Sequence, residues 1–286
     1  MNDHVCLLGT KGGPAIRYGS TNPTSNLLSM AGQQIVVDCG LGVTRALVDQ
    51  GMQLRDLVAI YITHLHSDHY LELGPLIHTA WTAGLKSPVE IYGPEGLEHY
   101  WQQFIDSMRE DINLRISDEG RPDLANLVSF HVLHEGVVNN SSGITVKAMK
   151  NVHPPLLETF ALSFQSNKTH VVFSGDTAYL PALADFAQGA DLLIHEAMLE
   201  PALPALYARI GNADNRLHEH WMRSHTLAQD AGKIASTAKV GALALNHLIP
   251  SDDPDYGDKQ WRSAVASTWS GTLHVGYDGL KIELGY

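Results

Sequence analysis

The sequence predicts an α/β fold in which two sheets pack against each other with helices outside them. Segments of strand and helix character alternate through both halves of the 286 residues, and each half starts with strands and continues in strand–helix units. A hydrophobic content of 44% and 25 glycines suit a compact chain of this class. Because no linker separates the halves, we predict one domain over residues 1–286, with an insertion around 95–135 that acts as a lid or an oligomer contact.

Each element is predicted from the spacing of its apolar residues and from the turn residues around it. Residues 5–8 predict a strand that enters a polar loop at 9–25, which is either functional or an ordinary connection. After a strand pair at 26–30 and 34–38, a glycine-rich turn at Asp38 starts a helix that ends near Gln50. Asp38 is expected to cap that helix or to brace a metal-bound histidine. Further strands are predicted at 58–62, 88–92, 127–133, 144–150, 159–164, 170–173, 192–194, 242–245, 272–277 and 281–284, further helices at 71–83, 97–108 and 227–239, and irregular chain at 109–127.

Three histidines and one aspartate follow directly after the strand at 58–62. His64 and His66 fall on the same side of an extended chain, because side chains repeat every two residues, whereas Asp68 and His69 require a turn. Imidazole nitrogens and carboxylate oxygens are the donors that zinc, iron or manganese bind. Since one ion could not comfortably take all four groups from so short a loop, the pattern predicts two adjacent ions. An incidental polar loop is the alternative, which the density of ligand groups disfavours.

More imidazole and carboxylate groups stand at the ends of later predicted strands. They are His153, Asp176, Glu196 and His247. Folds of this class collect strand ends on one rim and place their sites there. The sequence therefore predicts that these distant residues meet the loop at 64–69.

Net charge and cysteine content limit the classes of partner and compartment. The formal charge of −12 opposes nucleic-acid binding, which draws on a basic surface. No apolar segment is long enough to span a membrane, and the N-terminus lacks the pattern of a signal peptide. Cys6 and Cys39 lie in apolar strands, so we expect two buried free thiols and a cytoplasmic enzyme with no membrane partner.

In their order along the chain, these motifs resemble the metallo-β-lactamase-fold hydrolases. The matching segments are Asp38-Cys39-Gly40, Thr63-His64-Leu65-His66-Ser67-Asp68-His69, His153, Ser174-Gly175-Asp176-Thr177 and Asn246-His247. Within that superfamily the chain is most similar to the ribonuclease Z and arylsulfatase-like branch. That likeness rests on Leu7-Leu8-Gly9-Thr10, Ile91-Tyr92-Gly93-Pro94, Leu193-Ile194-His195-Glu196-Ala197 and Ser224-His225-Thr226.

The resemblance implies a four-layer αββα sandwich with two metal sites. One site would consist of His64, His66 and His153, and the other of Asp68, His69 and His247, with Asp176 bridging them. The cofactors would be two divalent ions, zinc first, with manganese or iron as alternatives.

The resemblance also implies hydrolysis by a hydroxide that bridges the two ions. Asp68 would orient or deprotonate the attacking water. His225 would protonate the leaving group while Glu196 holds its ring, although His225 alone is equally well read as a polar helix-terminal residue.

The substrate is predicted from two features that distinguish the chain from ribonuclease Z. Only a hairpin's length separates His153 from Asp176, where those enzymes commonly carry an arm that grips tRNA, and the chain is acidic. We therefore expect a small-molecule ester, lactone, amide or sulfate ester, with nucleic acid disfavoured and a homodimer as the assembly. A ribonuclease Z-like phosphodiesterase or endoribonuclease is the alternative, and an iron-dependent redox enzyme is the second.

Overall fold

The computed structural model of the chain describes residues 3–210 and 214–285, which form two seven-stranded sheets. The strands are β1 (His4–Gly9), β2 (Ser25–Met30), β3 (Gln33–Cys39), β4 (Ala59–Tyr61), β5 (Val89–Gly93), β6 (Val128–Val132), β7 (Gly136–Ser141), β8 (Ile144–Lys150), β9 (Phe160–Gln165), β10 (His170–Phe173), β11 (Leu192–Met198), β12 (Ala242–Ile249), β13 (Thr272–Val275) and β14 (Leu280–Glu283). The helices are α1 (Val43–Asp49), α2 (Ser67–Tyr70), α3 (Leu73–Thr82), α4 (Leu97–Ser107), α5 (Arg109–Glu119), α6 (Ala182–Phe186), α7 (Leu203–Ile210), α8 (Asn215–Ser224), α9 (Ala228–Ala238) and α10 (Asp258–Val265).

The two sheets have matching topologies. The first has the order β14-β1-β2-β3-β4-β5-β6, antiparallel as far as β3 and parallel from β3 to β6. The second has the order β13-β12-β11-β10-β9-β8-β7, antiparallel from β7 to β10 and parallel from there to β13. The predicted likeness of the two halves is thus a repeated sheet, and the carboxyl ends of each parallel set lie at one edge.

Alternation along the strands divides the core into layers. On β1, Val5 and Leu7 pack between the sheets, whereas Cys6 and Leu8 pack against the outer helices of the first sheet. The helices α1, α3 and α4 cover that outer face, and α6, α9 and α10 cover the second sheet in the same way. The αββα sandwich predicted from the sequence is confirmed. Cys6 and Cys39 are buried free thiols, as predicted.

The region at 109–127 differs from the irregular chain predicted there. It contains α5, a polar helix in which Ile112 is the buried residue, followed by a short 3₁₀ turn at Leu124–Leu127. Arg115 pairs with Asp111 and Glu119 at distances of 2.9 and 3.0 Å, and such i,i+4 pairs support a helix that lacks an apolar stripe. Leu97 and Leu124 of the 95–135 insertion pack on the first sheet, and its role as a lid or oligomer contact stays a prediction.

The last two strands enter different sheets, although they are separated by one short turn. β13 joins the second sheet and β14 the first, so Asp278 lies where the chain crosses between them. Its carboxylate accepts hydrogen bonds from the amide and hydroxyl of Thr10, at 3.0 and 2.9 Å, and from the amide of Asn22, at 2.7 Å. Asp278 therefore holds both ends of the loop between β1 and β2. No described helix is long and apolar enough to cross a bilayer.

Replacing Asp278 with alanine should lower the free energy of unfolding by roughly 1–3 kcal/mol, because two amides and a hydroxyl lose their acceptor. Urea denaturation monitored by circular dichroism measures the change. The matched control is Asp258→Ala, which removes an exposed pair with Arg262 and an acidic group from the first turn of α10, and should change stability by less than about 1 kcal/mol. Equal losses in the two variants would contradict this role of Asp278.

Candidate active site

The ligand-type residues predicted from distant segments meet at the carboxyl ends of the parallel strands. The chain after β4 stays extended through His66 and then turns into α2, which directs Asp68 and His69 inward. On β12, His247 is the extra residue of a β-bulge, since Glu196 pairs with Asn246 and Ala197 with Leu248. A bulge redirects a side chain out of the regular alternation, which here turns His247 toward the α2 loop.

Asp176 reaches the site through a turn that requires glycine. Gly175 has a φ of +59°, and a Cβ at that position would lie 2.5 Å from the carbonyl oxygen of Phe160. A side chain is therefore excluded by both backbone conformation and space. The turn brings the buried Asp176 carboxylate to the centre of the histidine cluster.

The first group of ligand-type atoms belongs to His64, His66, His153 and Asp176, which lie within 4.8 Å of one another. His66 Nδ1 is 3.1 Å from His64 Nε2 and 3.0 Å from His153 Nε2. Asp176 Oδ2 is 3.7 and 3.8 Å from the same two Nε2 atoms.

The second group consists of Asp68, His69 and His247, whose ligand-type atoms also lie within 4.8 Å of one another. Asp68 Oδ2 lies 3.6 Å from His69 Nε2 and 3.4 Å from His247 Nε2. Asp176 Oδ2 lies 3.4 and 3.0 Å from those nitrogens, so this oxygen stands between the two groups.

Several buried polar atoms of the cluster have no hydrogen-bond partner. They are His69 Nε2, Asp176 Oδ1 and both ring nitrogens of His247. His247 Nε2 is within ion-pair distance of Asp176 but lacks hydrogen-bond geometry. Buried polar groups are nearly always paired, so unpaired His69 Nε2 and His247 Nε2 beside the Asp176 carboxylate fit a divalent cation.

The two groups differ in proton affinity. Burial lowers the pKa of His153 to about 4 and lowers that of His64 as well, so these rings are neutral and available as ligands. Burial also acts to lower the pKa of His247, but the neighbouring carboxylates outweigh it and raise the value to about 10. The carboxylates raise the pKa of His69 in the same way. A cation bound beside Asp68 and Asp176 would displace those protons.

Hydrogen bonds from behind fix the orientation of the rings. Asp38 Oδ2 lies 2.8 Å from His69 Nδ1, and its Oδ1 accepts from the amide of Thr63 at 2.8 Å. Asp38 thus makes the bracing contact, and the N-cap of α1 is Gly42 instead. His153 Nδ1 donates to the carbonyl of Ser224 at 2.8 Å. Such contacts leave Nε2 as the free ring nitrogen.

His225 and Glu196 form a buried pair beside the cluster. His225 Nδ1 lies 3.1 and 3.0 Å from the two carboxylate oxygens of Glu196, which also accepts the amide of Thr177 at 2.6 Å. The His225 ring stacks on His247 with a centroid distance of 5.4 Å. His195 instead donates to the carbonyl of Glu196 at 2.7 Å, away from the cluster.

A cavity of about 360 Å³ opens over the cluster. The sequence did not predict most of the residues that line it. Lys11 and Arg17 line it from the loop between β1 and β2, and α7 and α8 add apolar residues and His220. Lys11 donates to the carbonyls of Gly12 and Gly13 at 2.8 and 3.2 Å, and burial lowers its pKa to about 8. The polar composition of the 9–25 loop indicated a possible functional role for the segment that contains Lys11. No sequence pattern indicated that α7 and α8 would line the site.

Comparisons with known proteins decide the family. Residues 4–238 match the family model described as "Anti-Pycsar protein Apyc1". The chain belongs to that family. Its fold is that of the metallo-β-lactamase-fold protein YhfI from Bacillus subtilis (TM-score 0.73, 21% identity, 99% of this chain and 100% of that one) and of human tRNase Z, short form (TM-score 0.70, 20% identity, the same coverage).

Among curated proteins, the chain is similar to mycobacterial enzymes named ribonuclease Z. "Ribonuclease Z" of Mycobacterium sp. strain KMS is 30% identical over 284 residues, which cover 98% of this chain and 95% of that enzyme. "Ribonuclease Z" of Mycobacterium bovis strain BCG Pasteur is 28% identical, with 98% of each chain covered. The predicted ribonuclease Z branch is confirmed, and this Apyc1-family chain is a metal-dependent hydrolase.

The predictions of a small-molecule ester, lactone, amide or sulfate substrate and of no nucleic-acid partner are wrong. Near full-length relatives are named ribonuclease Z, and the M. bovis enzyme matches over 98% of its own length. That enzyme therefore has no large segment that this chain lacks, so the argument from a missing arm fails. The argument from net charge fails because net charge is an average over the whole surface. It does not describe the cavity, which Lys11 and Arg17 line.

Replacing Asp38 with asparagine should weaken metal binding by about 10- to 100-fold, because an amide supports the His69 ring less well than a carboxylate. Competition with a chromophoric chelator measures the affinity for zinc. The control is Asp56→Asn, an exposed position whose carboxylate lies beside Arg55, which should leave the affinity unchanged. An unchanged affinity in Asp38→Asn would rule out the bracing role.

Proposed function

We propose that this chain is a binuclear metal-dependent phosphodiesterase of the ribonuclease Z type that cleaves phosphodiester bonds in RNA. The observation that carries the proposal is the position of Asp176. Its Oδ2 atom lies 3.0 to 3.8 Å from Nε2 of four imidazoles, two from each group of ligand-type residues. One carboxylate oxygen between two sets of histidines is suited to join two ions.

Under this proposal each ion has three ligands of its own. His64, His66 and His153 hold one, Asp68, His69 and His247 hold the other, and Asp176 is shared. Zinc is the metal we expect, because imidazole-rich sites with carboxylates suit it. Two bound divalent ions would lower the pKa of a water molecule and offset the charge of the phosphate.

The protein's own groups then handle the protons and the phosphate charge. Asp68 Oδ2 accepts the amide of Gly13 at 2.9 Å, which fixes the carboxylate where it can orient a water molecule. Lys11 and Arg17 line the same cavity and would supply positive charge for the phosphate oxygens, with Arg17 held there by Asp252 at 3.3 Å. We propose these residues as positioning and binding groups, with Asp68 in the proton-accepting role.

His225 is the proposed general acid. Its Nδ1 faces the Glu196 carboxylate, which leaves Nε2 as the nitrogen able to give a proton to the departing oxygen. Glu196 keeps the ring in that orientation. His225 lines the cavity, so its ring has access to a bound substrate.

A homodimer and a cytoplasmic location remain part of the proposal. Two buried free cysteines suit a reducing compartment.

The zinc-loaded enzyme should hydrolyse bis(4-nitrophenyl) phosphate and cleave a precursor tRNA. We expect little turnover of 4-nitrophenyl acetate or 4-nitrophenyl sulfate, which lack a phosphodiester. Spectrophotometry and gel analysis measure the rates, and Asp68→Ala, expected to lose nearly all activity, is the control for contaminating enzymes. Ester or sulfate turnover without phosphodiester turnover would refute the proposal.

Replacing His225 with alanine should lower the rate of RNA cleavage by about 10²- to 10⁴-fold, because the departing ribose oxygen needs a proton. The loss should be much smaller for bis(4-nitrophenyl) phosphate, since nitrophenolate leaves readily without one. Comparison of kcat for the two substrates measures this difference, and Glu196→Gln should shift it in the same direction. Equal losses on both substrates would mean that His225 acts in some other way.

A further inference from the structure

One part of the cavity wall is apolar and takes no part in the proposed chemistry. Leu206 and Ile210 come from α7, and Leu217 and Trp221 come from α8. The rest of the lining includes ligand-type residues, Lys11 and Arg17. A ligand that fills this cavity must therefore combine an anionic part with an apolar part.

Trp221 is the aromatic residue of that apolar wall. It is half-buried, whereas Trp81, Trp101 and Trp261 are at most 2% exposed in the core. Its indole stacks on Tyr207 with a centroid distance of 5.3 Å and an interplanar angle of 11°. The stack closes one face of the indole and leaves the ring with surface toward the cavity.

The ring behind Trp221 is itself held in place. The Tyr207 hydroxyl lies 2.6 Å from Nδ1 of His218, so a hydrogen bond ties α7 to α8 beside the stack. Leu203, Leu206, Met198 and Ile249 form a small buried cluster on which Tyr207 and Trp221 pack. The indole is therefore supported by α7 on one side and faces the cavity that contains the histidine cluster.

We propose that Trp221 is a stacking platform for a nucleobase attached to the phosphodiester bound at the histidine cluster. This inference rests on the proposed function and assigns the part of the substrate next to the phosphate. A base has the flat apolar face that the indole matches, and Arg17 and Lys11 in the same cavity suit the phosphate to which it is joined. Because every base has such a face, the platform should discriminate weakly among bases.

Two substrates with the same leaving group separate this role from a general effect on catalysis. Thymidine 5′-(4-nitrophenyl phosphate) carries a base, and methyl 4-nitrophenyl phosphate does not. In Trp221→Leu, KM should rise roughly tenfold for the thymidine ester, with kcat and the methyl ester nearly unchanged. Trp221→Phe should restore most of the affinity.

The matched control is Trp269→Leu, because Trp269 is also partly buried but packs against the outer face of the second sheet. Trp269→Leu should leave KM and kcat unchanged for both substrates. If Trp221→Leu weakens turnover of both substrates equally, or of neither, the proposed platform role is refuted.

A binding experiment tests the platform without turnover. Adenosine 5′-monophosphate should quench the tryptophan fluorescence of the zinc-loaded wild-type protein, and ribose 5-phosphate should not. The quenching should disappear in Trp221→Phe. Quenching without phosphodiester turnover would support the platform while refuting the proposed function, and absence of Trp221-dependent quenching would refute the platform itself.

Discussion

A buried carboxylate surrounded by imidazoles is the constraint on which this structure depends. Asp176 is 2% exposed, and its Oδ2 lies within 4 Å of Nε2 atoms from the β4–α2 loop, the β8–β9 connection and β12. An uncompensated charge in that position would be strongly unfavourable. The two sheets of matching topology compensate the charge of Asp176, because both sets of parallel strands end at the same rim and place imidazoles there.

Two residues at this rim have a strained backbone. Asp38 and His247 are two non-glycine residues with positive φ, at 64° and 44°. Such conformations persist only where the surroundings enforce them. Asp38 is held by the amide of Thr63, and His247 by the bulge between β11 and β12. Asp38 braces an imidazole and His247 presents one, so at these two positions the packed sheets hold a strained backbone that orders the ligand-type groups.

The sequence was sufficient for the fold and for the groups that meet at the rim, because both depend on short-range patterns. Strand periodicity and the dense run at His64–His69 are local signals, and the later ligand-type residues each follow an apolar strand. It was not sufficient for α7 and α8, which pack on the ends of β11 and β12 and on each other and place other side chains along the cavity. Nor could it assign β13 and β14 to different sheets, since period and turn do not specify which neighbour a strand pairs with.

The substrate prediction failed for a related physical reason. A net charge of −12 describes the average field around the molecule, whereas a phosphate responds to the charges within several ångströms of it. In the cavity, Lys11 and Arg17 stand beside a cluster whose carboxylates would be outweighed by two divalent ions. With two divalent ions bound, the pocket would attract a phosphodiester at short range, although the acidic surface repels polyanions at long range. Local charge and the aromatic wall, rather than overall composition, therefore determine what this site can bind.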